Sequence, residues 1–112
     1  MSYTEVRRHP RVNVDLFVDW GRSTECEYDD RVTSLSLSGC FLATKRELGR
    51  GDEIHLKLRE EAIGAIQVKG AVRYQLRVME GAPPAGAGVE FVALSGETQA
   101  RLQMMINSCQ KA

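Results

Sequence analysis

Apolar and polar positions alternate along most of this chain. From Val12 to Trp20, Val12, Val14, Leu16, Val18 and Trp20 face one way, and Asn13, Asp15, Phe17 and Asp19 the other. A period of two predicts a strand with one face in a core. Glu25–Leu37 reads as a second, more charged strand with Cys26, Tyr28 and Val32 inward, and Cys40–Thr44 as a short third. Glu53–Arg59 alternates again, with Ile54, Leu56 and Leu58 inward. The longest run is Ala65–Val78, where Ile66, Val68, Gly70, Val72, Tyr74, Leu76 and Val78 share a face. Gly70 in mid-run suggests a bend or bulge. Glu80–Ala87 carries two prolines and two glycines and reads as a flexible loop without packing value; Gly88–Val92 reads as a sixth strand. After Ser95, a helix N-cap, the pattern changes period: Leu102, Met105, Ile106 and Cys109 make one helical stripe.

Six short strands without intervening helices, then one amphipathic helix, predict an all-β domain: a six-stranded antiparallel barrel with a C-terminal helix. The chain of 112 residues suits one such domain. The expected division is a flexible basic arm at 1–11, a barrel at 12–93 and a helix at 95–110.

Charge is balanced, with 15 basic and 15 acidic side chains. Nucleic-acid polymers call for a basic face, so none is expected as a partner. The basic charge is local. Arg7, Arg8 and Arg11 fall within Glu5–Arg11, and Pro10 keeps this stretch from being a helix interior. Arginine suits forked recognition of phosphate and of a guanine edge. Taken alone, such a run is most often a solvated tail.

Cys26, Cys40 and Cys109 form neither a disulfide framework nor a zinc spacing, so no metal is expected. They read as small buried hydrophobes of a reducing compartment. No stretch is apolar enough to insert in a membrane, and a cytoplasmic protein is expected. His9 and His55 have no nucleophile or metal-ligand spacing, and the carboxylates are scattered. The chain is therefore not expected to be an enzyme.

A second feature lies at the end of the second strand, Ser34-Leu35-Ser36-Leu37-Ser38-Gly39. Alternation places Ser34, Ser36 and Ser38 on one face, and Gly39 permits close approach of a backbone or ligand. Arg7-x-x-x-Arg11, then residues 12–33, then Ser34-x-Ser36-x-x-Gly39 resembles the two-part signature of the PilZ domain family, RxxxR followed by (Asp/Asn)xSxxG. Ser36–Leu42 and Gly88-Val89-Glu90-Phe91 resemble two further family segments. The resemblance implies a cyclic di-GMP receptor or adaptor that changes conformation or partner contacts on binding, without a cofactor. Its partners would be cyclic di-GMP and a protein effector. By this resemblance Arg7 and Arg11 grip phosphates and guanines, Arg8 accompanies them, Ser34, Ser36 and Gly39 complete the site, and Val6 occupies a position that affects ligand number.

Ser34 departs from the pattern, since the family has Asp or Asn there. A hydroxyl makes one shorter-reach bond where a carboxylate makes two with charge assistance. That difference amounts to roughly 1–3 kcal/mol, about one to two decades of affinity. The alternative it raises is a PilZ-like adaptor that works through protein contacts without cyclic di-GMP.

Overall fold

A computed structural model of the chain describes residues 10–110. Six strands run in the order β1 (Val12–Gly21), β2 (Tyr28–Leu35), β3 (Gly39–Ala43), β4 (Glu53–Glu60), β5 (Gly64–Arg77) and β6 (Pro84–Val92), followed by helix α1 (Gly96–Gln110). They close into a barrel in the order β1-β2-β3-β6-β5-β4, every neighbouring pair antiparallel. The expected six-stranded barrel with a C-terminal helix is thus the observed fold.

The inward positions of β1, β4 and early β5 form the core with Leu35, Leu42, Val89 and Phe91. α1 supplies Leu102, Met105 and Ile106 to the same cluster and packs against β1 and β5. Ser95 Oγ accepts the Thr98 N–H at 3.1 Å, satisfying one of the donors a helix start leaves open. Arg101 donates to the Ala65 carbonyl at 3.2 Å and Ser108 Oγ to Glu60 at 3.1 Å, which fixes the helix across the β4–β5 turn.

Four local expectations are corrected. β2 begins at Tyr28 rather than Glu25, because Cys26 sits at φ 49° in a turn, buried, with its thiol toward the His55 carbonyl. Gly70 makes neither bend nor bulge: it pairs regularly with Ile54 and Phe91, and a Cβ there would strike the Val89 side chain. The inward face of β5 stops at Val72. The register slips between Val72 and Tyr74, and Tyr74 and Leu76 turn out to solvent. Val78 lies beyond the strand and is 80% exposed.

The fourth correction is the largest. Pro84–Ala87 is strand, and Ala87 is fully buried. Its residues are small because aromatic rings lie on them. A Cβ on Gly86 would meet the Phe41 ring, and one on Gly88 the Tyr74 ring. Strand glycine often marks such close approach. Pro84 stands at the first position of β6, where the missing N–H is tolerated.

Candidate functional site: the Arg11 and Ser36–Gly39 end of the barrel

The β1–β2 register brings the two sequence features together. Val12 pairs with Leu35 and Asn13 with Ser34. Arg11, one residue before β1, therefore emerges beside the turn that follows β2. Its proximity is felt electrostatically at Cys40. Burial pushes that thiol up to about 12, and the Arg11 guanidinium pulls weakly the other way. Arg7 and Arg8 lie outside the described residues.

The turn is built by Ser36. Its side chain is fully buried, and Oγ accepts the N–H groups of Ser38 at 3.1 Å and Gly39 at 3.2 Å. The Ser36 N–H donates to the Gly39 carbonyl at 2.9 Å. A serine hydroxyl tied to its own following backbone is the ST-turn device. Gly39 is required for a different reason. A Cβ there would strike the Val89 carbonyl oxygen, so only glycine lets β3 and β6 come this close. The Ser38 carbonyl in turn accepts the Phe91 N–H at 2.8 Å.

The three serines are not equivalent as simple alternation has them, although the Ser36 and Ser38 hydroxyls lie 3.1 Å apart. A bulge between Val32 and Ser34 resets the register, and β2 ends at Leu35. Ser34 is half-buried between Asn13 and Phe41, Ser36 buried, and Ser38 exposed. Ser38 and Arg11 meet in a cavity of about 210 Å³, whose other walls are Arg73, Tyr74, Gly88, Val89 and Glu90. Ser34, Ser36 and Gly39 shape this corner without lining the cavity.

Arg73 and Tyr74 escaped the sequence reading because they come from β5, far from either sequence feature. The available signal was an aromatic opposite a glycine: Tyr74 pairs with Gly88 across the β5–β6 ladder. The Tyr74 ring lies over Gly88, 6.4 Å from the Phe41 ring, and the residue is 48% exposed. Arg73 bonds Glu90 at 3.0 Å with both side chains more than half exposed. Such a pair contributes at most about 1 kcal/mol, so the guanidinium is readily released to an incoming anion. The corner thus joins two cations, an aromatic face and the exposed Ser38. That is the chemistry for an anionic ligand with a planar ring. At 210 Å³ the cavity takes part of such a ligand and leaves the rest on the surface. Among the described residues no group of three or more His, Cys, Asp or Glu is arranged to hold a metal, and no helix is long and apolar enough to cross a membrane.

Solved structures share this architecture. The PilZ domain of YcgR from Escherichia coli with c-di-GMP superposes with TM-score 0.73 at 18% identity, covering 94% of this chain and 92% of that one. The Bacillus subtilis inhibitor of motility MotI/DgrA gives 0.71 at 20%, covering 91% of this chain and 50% of that one. The K. pneumonia MrkH–c-di-GMP complex gives 0.71 at 21%, covering 91% and 50%. The chain spans about half the length of these last two proteins. No curated protein gives a significant match. The family model described as PilZ domain matches residues 5–108, nearly the whole sequence, and the chain therefore belongs to the PilZ domain family.

Proposed function

We propose that this chain is a receptor for cyclic di-GMP and acts by changing the surface it offers to a protein effector. The observation that carries the reading is the β1–β2 register, which sets Arg11 beside the Ser36–Gly39 turn. Two of the three similar structures named above are described with c-di-GMP, which supports the same ligand class.

In this reading Arg11, with Arg7 and Arg8 from the preceding arm, binds the two phosphates, each of which carries one negative charge. Arg73 leaves Glu90 to add a further guanidinium. One guanine stacks on Tyr74, with its edge toward Ser38. Ser36 and Gly39 act as positioning residues: one ties the turn, and the other lets β6 support it. Ser34 gives a weaker contact than a carboxylate would. No step of chemistry follows, since binding alone redistributes the arm and the ligand surface.

Calorimetric titration of the wild-type chain, Arg11→Ala and Ser34→Asp with cyclic di-GMP tests this. Binding is expected for the wild type and abolished in Arg11→Ala, with the fold intact. Ser34→Asp is expected to bind about one to two decades more tightly. Folded wild-type protein that takes up no ligand at high micromolar concentration ends the receptor reading and leaves an adaptor working through protein contacts.

A further inference from the structure

β1 runs past the end of its partner. It pairs with β4 only from Phe17 to Gly21, and β4 ends at Glu60. Val12–Leu16 therefore have β2 on one side, paired at Val12, Asn13 and Leu16 around a register shift, and, among the described residues, no strand on the other. An unpaired strand edge is a ready template for another chain. Between this part of β1, the β4–β5 turn and the end of α1 lies a groove of about 940 Å³. It is lined by Asn13–Phe17, by Arg59, Glu60, Glu61, Gly64 and Ala65, and by Cys109.

Phe17 closes one end of this groove and is 60% exposed. It stands between Arg31 on β2 and Arg59 on β4, its partners in register. The Arg31 guanidinium lies 4.3 Å from the ring centroid and bonds Asp15 at 2.7 Å; Arg59 is paired with Asp19. An exposed aromatic held between neutralised arginines has the composition of an interface anchor. With Asp15 and Arg59 each paired in this way, the remaining charge of the groove is acidic, from Glu60 and Glu61. Among the described residues Glu60 accepts bonds only from uncharged donors, the Ile63 N–H and the Ser108 hydroxyl, so no described cation meets its charge.

We infer that this edge receives an extended, basic segment of a partner protein as an added strand. Main-chain bonds to Val12–Leu16 hold the segment. One of its apolar side chains covers Phe17, and its Lys or Arg side chains face Glu60 and Glu61. Charge argues against a second copy of this chain, because two such edges would set their carboxylates against each other. The inference is independent of cyclic di-GMP and of the corner at Arg11.

The test uses the isotope-labelled full chain and synthetic peptides of about ten residues, long enough to span the edge. One alternates Lys and Val, one alternates Glu and Val, and one keeps the lysines but carries proline in place of valine. The Lys/Val peptide is expected to shift the amide signals of Val12–Phe17 and to bind roughly tenfold more weakly to Phe17→Ala. Glu61→Lys is expected to weaken it too. The Glu/Val and proline peptides are expected to leave these signals unmoved. Equal binding of the proline peptide would reduce the effect to charge alone and overturn the inference. Shifts confined to other strands, or self-association lost in Phe17→Ala, would overturn it as well.

Discussion

From Gly64 to Ala71, β5 is paired with β4, and its inward side chains Ile66 and Val68 are buried in the core. From Arg73 to Arg77, among the described residues, β6 is its only partner strand, and Tyr74 and Leu76 are about half exposed. The alternation in the sequence is continuous across both halves. The difference is made at Asp52, whose carbonyl accepts the Val72 N–H at 2.8 Å while the Gly51 N–H donates to the Val72 carbonyl at 2.7 Å. That turn ends the β4–β5 ladder. Beyond it β5 continues paired with β6, and this outer half carries Tyr74 and Arg73 to the cavity beside Arg11. One half of the strand stabilises the fold, and the other is free to serve a ligand.

Shortening the inner half should cost most. Ile66→Ala is expected to lower stability by about 2–5 kcal/mol in urea unfolding, because Ile66 is 2% exposed and the hole left cannot refill with water. Leu76→Ala, ten residues along the same strand, should stay within about 0.5 kcal/mol of wild type. Similar losses for the two would break the contrast. Tyr74→Ala should fall between them, costing about 0.5–1.5 kcal/mol as the ring leaves Gly88 and Phe41. The same variant should weaken cyclic di-GMP binding roughly tenfold, the loss of one stacking face. Unchanged affinity would remove Tyr74 from the proposed site.

The smallest effect concerns the turn itself. The Gly49 N–H, and then the Arg22 guanidinium, hold the Asp52 carboxyl below the usual carboxylate range. A carboxyl lowered on folding adds stability above its ordinary pKa, and that contribution fades as pH falls through the lowered value. Asp52→Asn should therefore be slightly less stable than wild type at neutral pH, and the gap should close in acid. A gap that persists below the carboxylate range would assign the effect to geometry rather than charge.

Hydrophobic patterning made most of the barrel readable, because β1, β4 and early β5 each bury one face. It failed where another element supplies what the local sequence lacks. Pro84–Ala87 looked like loop since alanine and glycine bury little, yet Phe41 and Tyr74 do the packing for them. Ser36 reads as one of three hydroxyls on a strand face, but β2 ends at Leu35 and the Ser36 side chain is buried in the turn that follows. The site was half legible. Arg11 and the turn are local in sequence, whereas Arg73, Tyr74 and Glu90 join them only through the closure of β3 on β6 and of β6 on β5.

Trp20, the single tryptophan, lies at the opposite end of β1 from Arg11. It is sealed from water, its indole N–H bonded to Asp30 at 2.9 Å and its ring 5.0 Å from that of Tyr28. Nine residues of extended chain separate it from Arg11, roughly 30 Å. Intrinsic fluorescence will accordingly start blue-shifted and move red only when the barrel opens. It makes a clean optical gauge of global melting and is blind to whatever docks at the far rim, where a reporter dye on the arm would have to be placed instead.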